Sequence, residues 1–339
     1  MNQTSIKEWL KLSDDTKKNI FSEISTNTGL PAVAIEKDWW VVKTLEVVFS
    51  TEIAKHTVFK GGTSLSKAWG LIDRFSEDID LALDRKFLGF DKKMSGSQVK
   101  KLRKHSFSYI SKKFFPLMQQ AFQDYGIKDV KLKLAETTSN DQDPLIIEVN
   151  YPGLSEKSAY IQPHVLIELS SRSLREPFTV KKFNTMVGEH FNEKPFADSA
   201  ISIPTVNPER TFLEKIFLLH EEFQKPEEKI HVHRLSRHLY DIEKMMDTEY
   251  AEKALADKNL YQHLVEHRRT ITPVRGIDYA NHMPNKINPI PPKGLFDAWK
   301  KDYEQMQQNM IYGESISFEK LLERILLLKN RINKINIER

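Results

Sequence analysis

Val58-Phe59-Lys60-Gly61-Gly62-Thr63-Ser64-Leu65-Ser66-Lys67, followed by Arg74-Phe75-Ser76-Glu77-Asp78-Ile79-Asp80-Leu81, is the stretch on which the reading of this chain turns. His56-Thr57-Val58-Phe59 suits a short buried strand, and the paired glycines after it mark a turn. Thr63 or Ser64 is placed to cap the helical segment from Leu65 to Gly70. Backbone amides at a turn and helix start attract an anion, and Gly61 and Gly62 let them approach it closely. The chain returns with Asp78 and Asp80 at strand spacing, so both carboxylates leave one face while Ile79 and Leu81 point to the other. Like charges that close repel unless a cation offsets them, and Mg²⁺ takes one or two carboxylates plus substrate phosphates. Asp-x-Asp alone reads as an exposed edge strand. Next to a Gly-Gly turn, with Arg74 and Ser76 beside it, it points to metal-assisted chemistry at a phosphate.

Upstream, residues 1 to about 50 read as helical, with Ser13-Asp14-Asp15 as an N-cap and Gly29-Leu30-Pro31 as a break. A helix from about Ala32 to Phe49 carries Ile35, Trp39, Trp40, Val42 and Leu45 near the helical period, which assigns both tryptophans to packing. Glu36, Lys37 and Asp38 stand among these apolar residues. Downstream, residues 84 to 128 read as mainly helical, with a loop from Gly89 to Gly96 and an apolar stripe through Phe107, Ile110, Phe114, Phe115, Met118 and Phe122. Strands are expected at Val130 to Leu134, Leu145 to Tyr151 and His164 to Leu169. Glu148 and Glu168 each interrupt an apolar run, and either can supply a third carboxylate.

From Val206 the chain reads as helical again. Asn207-Pro208-Glu209 resembles a helix start, followed by an apolar face through Phe212, Leu213, Ile216, Phe217 and Leu219. On the next helix Arg237 and Asp241 are four residues apart and predict a surface ion pair. His231, His233 and His238 lack the three- or four-residue spacing of a helical metal pair. A proline-rich connector, Asn288 to Pro292, precedes an amphipathic helix from about Phe318 to Ile332, with Leu321, Leu322, Ile325, Leu326 and Leu328 expected to pack onto the body.

At 339 residues, 40% hydrophobic and 29% charged, the chain can bury a normal core in one large or two ordinary domains. We place the division at 1–200 and 201–339. No apolar run is long enough to span a membrane, the start is polar rather than signal-like, and cysteine is absent. A cytoplasmic protein without membrane association is the expectation. Net charge is only +4, but Lys92, Lys93, Lys100, Lys101, Arg103, Lys104, Lys112 and Lys113 cluster with few acids, either as a phosphate-attracting patch or as a solvated helix face.

Lys60 to Lys67 with Arg74 to Leu81 resembles the first motif of the AbiEii/AbiGii-type toxin nucleotidyltransferases, a group that includes the MenT-type toxins within the DNA polymerase β-like superfamily. Glu209 with Glu214-Lys215, and Arg237-His238-Leu239-Tyr240-Asp241, resemble the family's downstream glutamate–lysine and arginine–aspartate–x–x–aspartate motifs. Ile35-Glu36-Lys37-Asp38-Trp39 resembles its lead-in helix, and the likeness covers roughly residues 30 to 245. Two features depart from the pattern. Fifteen residues separate Gly62 from Asp78, longer than is usual in the superfamily, and His238 stands where the family often has aspartate.

The resemblance implies an α/β (α+β) nucleotidyltransferase fold: a small mixed sheet flanked by helices, and a helical C-terminal lobe. It implies a toxin that uses NTP and Mg²⁺ (or Mn²⁺), transfers nucleotides to an RNA acceptor such as the tRNA 3′ end and so blocks translation, and is neutralised by a cognate antitoxin. On this reading Asp78 and Asp80 hold the metal, with Glu168 as third ligand or base. Gly61, Gly62, Thr63 and Ser64 cradle phosphates, while Lys67 and Arg74 add positive charge. Lys215 contacts the triphosphate from the opposite lobe, and Asp241 orients it or recognises the nucleotide. Ser76 occupies the position that antitoxins phosphorylate in MenT-like relatives. The competing readings are a nucleotidyltransferase acting on a protein or small molecule, and a non-catalytic NTP-binding module.

Overall fold

The computed structural model describes residues 3–336 apart from 93, 157 and 159, so Lys93 of the basic run lies outside the described residues. The chain divides into two compact units. One comprises Met1–Trp69 and Phe75–Val206; the other comprises Gly70–Arg74 and Asn207–Arg339.

The first unit opens with helices α1 (Gln3–Lys11), α2 (Asp14–Thr28) and α3 (Ala32–Ser50). Ser13 caps α2 by accepting from the Thr16 amide, and Gly29 ends it in the left-handed conformation at φ 75°. Strand β1 (Thr57–Lys60) leads into the helical turn α4 (Gly61–Thr63), which continues as a π turn over Ser64–Ala68. Then come β2 (Ile79–Leu83), α5 (Gly96–Tyr109), a π turn over Ile110–Phe114, and α6 (Phe115–Asp124). The unit closes with β3 (Lys131–Leu134), β4 (Leu145–Asn150), β5 (His164–Ser170), β6 (Phe178–Phe183), α7 (Met186–His190) and β7 (Ile201–Val206).

Among the described residues these strands form one seven-stranded sheet, in the order β3-β4-β5-β2-β1-β7-β6. It is mixed: β2 runs parallel to β5 and β1 parallel to β7, while the remaining neighbours are antiparallel. Ile79, Leu81, Ile147, Val165, Ile167 and Leu169 are fully buried on one face, over which α3 packs against β5. Val58, Ala82 and Val206 form a small buried cluster on the middle strands. Trp39 and Trp40 belong to the core, as their periodicity predicts, with Trp39 stacked on Trp9 and Trp40 on Tyr151. Strands β6 and β7 were not expected. Pro204 and the Lys181-Lys182 pair hide them from a strand reading, yet Pro204 sits opposite Val180 in regular register.

The second unit holds α8 (Pro208–Glu222), α9 (Ser236–Met245), α10 (Glu249–Ala256), α11 (Lys258–Thr270), α12 (Phe296–Asn309) and α13 (Phe318–Ile332). Pro208 opens α8 at its first turn, as expected. On α13, Leu321, Ile325, Leu328 and Ile332 are buried, but Leu326 is 46% exposed and does not pack as predicted. Leucines at three consecutive positions, 326–328, cannot all share one stripe of a 3.6-residue helix.

Candidate active site

The two halves of the glycine–aspartate motif form one object. Chain enters α4 directly from β1 at Gly61, whose φ of 82° is open to glycine and strained for other residues. A Cβ built on Gly61 would lie 1.9 Å from Asp80 Oδ2, so the absent side chain is what lets backbone and carboxylate meet. The predicted cap by Thr63 or Ser64 is not made. Instead Thr63 donates its hydroxyl to the Asp78 carbonyl at 2.5 Å and lies 2.9 Å from the Ser76 hydroxyl. Ser64 turns back to the Gly61 carbonyl at 2.9 Å. Both side chains are buried, which ties the turn to the entrance of β2.

Asp78 immediately precedes β2 and Asp80 is its second residue, so strand alternation sends both carboxylates to one side. β2 lies inside the sheet, which excludes the edge-strand reading. Asp80 is the register partner of Lys60 on β1 and of Glu168 on β5, whereas Glu148 faces Leu166 on β5 and Lys133 on β3. Glu168 is therefore the carboxylate that register brings beside Asp80. Such a cluster of hard oxygen donors suits magnesium, manganese or calcium rather than a soft metal. Among the described residues no group of three His, Cys, Asp or Glu side chains closes into a metal cage by itself.

Helix α3 braces this turn with three consecutive charges. Lys37 Nζ reaches Glu77 Oε2 at 2.5 Å and the Gln162 carbonyl at 3.1 Å. Asp38 binds Lys67 Nζ at 2.7 Å and accepts from the Met186 amide at 2.7 Å. Glu36 accepts from the Leu154 and Ser155 amides at 2.7 and 2.8 Å. The positive charge expected at Lys67 is thus paired with Asp38. Lys37, Asp38 and Glu77 were not among the predicted site residues. For Lys37 and Asp38 the sequence signals are the run of three charges, Glu36 to Asp38, inside an apolar helix and its likeness to the family's lead-in helix, whereas Glu77 stands inside the glycine–aspartate motif; none of these names the partner.

The second unit gathers Arg74, Lys215, His238 and Asp241. Arg74 is 1% exposed and grips Asp241 with both arms of its fork, Nε to Oδ1 at 2.6 Å and an Nη to Oδ2 at 2.7 Å. Lys215 Nζ lies 2.8 Å from the same Oδ2 and 3.4 Å from His238 Nδ1. Burial alone raises the Asp241 carboxyl, yet the Arg74 and Lys215 charges hold it far below the usual carboxylate range. Burial and then the Arg74 charge lower the Lys215 ammonium, opposed by Asp241. His238 is kept neutral by burial and by the Lys215 and Arg237 charges, so its Nδ1 accepts from the ammonium.

Two expectations are corrected here. Asp241 is not half of a surface pair with Arg237, because Arg74 and Lys215 take its oxygens in a buried cluster. Arg74 is committed to that cluster and not presented to a phosphate. The three histidines do not assemble either: His231 is exposed and bonded to Glu222, while His238 is buried against Lys215.

A family model described as nucleotidyl transferase AbiEii toxin, type IV toxin–antitoxin system, matches residues 48–324. The chain belongs to the AbiEii toxin family. An AbiEii toxin is a nucleotidyltransferase, so an NTP is its substrate, a divalent metal is typical of its chemistry, and a cognate antitoxin accompanies it. Among solved structures, MenT4, a nucleotidyltransferase toxin from Mycobacterium tuberculosis H37Rv, is 14% identical at a TM-score of 0.45, covering 94% of this chain and 99% of that one. JHP933 from Helicobacter pylori is 15% identical at a TM-score of 0.41, covering 88% and 93%. No curated protein matches the sequence. Among the described residues of this AbiEii chain, no helix is long and apolar enough to cross a membrane.

Proposed function

We propose that this AbiEii toxin transfers a nucleotide from NTP to the 3′ end of an RNA acceptor, tRNA, and so blocks translation. The observation that carries the reading is Gly61 set against the Asp80 carboxylate, with Glu168 in register beside it. Asp78 and Asp80, with Glu168 adjacent, hold a magnesium or manganese ion, which when bound neutralises charge accumulating on the phosphates. The first amides of α4, from Gly61 to Ser64, face the phosphates. The acceptor's 3′ oxygen bonds to the α-phosphorus, the bond to the bridging oxygen of the β-phosphate breaks, and pyrophosphate leaves. The hydroxyl proton passes to a carboxylate, and we assign that role to Glu168. Within the second unit, Asp241 and Arg74 position the Lys215 ammonium. Ser76 is the point of control: a phosphate there adds negative charge next to Asp78 and disturbs the Thr63 contact.

The test is incubation with each labelled NTP and either total tRNA or a protein extract. Label is expected in tRNA and absent from Asp80→Ala of unchanged thermal stability. Label in protein alone, or full activity in folded Asp80→Ala, overturns the reading.

A further inference from the structure

We propose that the lysine face of α5 and the following π turn is the surface that grips the phosphate backbone of the RNA acceptor; this rests on the RNA reading above. Neither Asp nor Glu occurs between Lys92 and Gln123. Buried residues of this segment recur at four-residue steps, Leu102, Ser106, Ile110, Phe114, Met118 and Phe122. On a regular helix each such step drifts by about 40°, so the stripe would rotate off the core within a few turns. The wider π turn at Ile110–Phe114 takes up about half of the drift accumulated from Leu102 to Phe122, and these residues stay buried along the whole segment.

The opposite side is therefore one continuous basic face. Lys100, Lys101, Lys104, His105, Lys112 and Lys113 are exposed on it, and Lys100 to Lys112 spans about 18 Å at helical rise. Among the described residues none of these lysines is engaged in an ion pair. Asp141, the acid beside this face, is paired with Arg103 at 3.5 Å and bonded to Ser139. A solvated helix face ordinarily intersperses both signs, and here one sign is missing. The helix is also firmly seated: Ser95 and Gln98 form a capping box, and Phe87 and Phe90 pack edge-on against Tyr109 and His105. A rigid, acid-free row of ammonium groups complements a polyanion, which suits recognition of a phosphate backbone.

The experiment compares full-length wild type with Lys100→Gln/Lys101→Gln/Lys104→Gln/Lys112→Gln. A control variant, Lys7→Gln/Lys258→Gln/Lys293→Gln/Lys334→Gln, removes four other exposed lysines and brings the net charge from +4 to the same zero. Binding of labelled total tRNA is measured across a salt series, with thermal melts confirming the fold. The face variant is expected to bind at least about tenfold more weakly at low salt, with a log–log salt slope shallower by about 3. The control is expected to keep most of the wild-type slope. Equal loss in both variants, or intact tRNA binding by the face variant, overturns the proposal. Nucleotide transfer to tRNA by the wild type is scored in parallel. If tRNA is labelled but binding ignores these lysines, this proposal fails alone. If no RNA is labelled or bound, the RNA reading fails and takes this one with it.

Discussion

A methyl group on Gly61 would sit 1.9 Å from Asp80 Oδ2, and the residue already holds a φ of 82°. Gly61→Ala is therefore expected to displace the carboxylate and to strain the turn. Strain of this kind costs about 1–3 kcal/mol. Nucleotide transfer should fall by about 100-fold or more, since misplacing a reacting group by about 1 Å has that effect. Transfer assays beside a urea titration check both numbers; wild-type transfer would show that Asp80 does not act where it lies. Asp241 offers the complementary case. Its two oxygens serve two buried cations, so Asp241→Asn leaves Arg74 and Lys215 uncompensated and is expected to destabilise by about 3–5 kcal/mol. Lys215→Met should cost less, because Arg74 still satisfies the carboxylate. Chemical denaturation of the two variants tests that ranking.

Helix α9 shows an element depending on a distant one. Its N-cap position is Leu235, which offers no side-chain acceptor, and Arg234 just before it has a φ of 60°. Asp302 on α12 takes over the cap, accepting from the Arg234 amide at 2.6 Å, the Ser236 amide at 3.0 Å and the Ser236 hydroxyl at 2.6 Å. Since α9 carries His238 and Asp241, α12 supports the cation cluster through this carboxylate. Asp302→Ala leaves buried donors without an acceptor and should cost about 1–3 kcal/mol. Hydrogen exchange across Ser236–Met245 should accelerate selectively; uniform exchange changes would contradict the capping role. The π turn between α5 and α6 is a second such device, since it takes up about half of the drift of an apolar stripe with four-residue steps.

At the scale of the whole molecule, acid is expected to loosen the second unit. His220 donates from Nε2 to the Asn281 carbonyl and accepts at Nδ1 from the Asn288 amide, so the neutral ring is satisfied at both nitrogens. Burial, and then the neighbouring His282, lower it to about 4. The unfolded chain binds that proton near pH 6.5, so stability falls as pH drops from 6.5 towards 4, by a few kcal/mol at most. Glu221 follows: burial raises it, but Arg268 and His282 bring it down to about 2, so its contribution is lost below about pH 4.5. Hydrogen exchange against pH should show Pro208–Glu222 and residues 281–288 loosening between pH 6.5 and 4. Protection that holds flat to pH 4 in those segments would contradict this.

Elements whose signals lie within a few residues of one another were legible in the chain alone: the cap at Ser13, the break at Gly29, strands β1 to β5, the proline start of α8 and the stripe of α13. The family was legible too, because its motifs are short and local in type. Strands β6 and β7 were not, since Pro204 and paired lysines oppose local strand propensity and only register with β1 outweighs them. Nor were the partners of the charges. Asp241 looked towards Arg237 four residues away, and the fold gave it Arg74, 167 residues distant. The apolar runs alone left Glu148 and Glu168 open, the family resemblance favoured Glu168, and the register of β5 sets Glu168 beside Asp80. Sequence by itself determined which residue types were present and the local conformation they favour. Tertiary structure decided which buried charge meets which, because a desolvated ion is stable only beside a counter-charge that the folded chain brings to it.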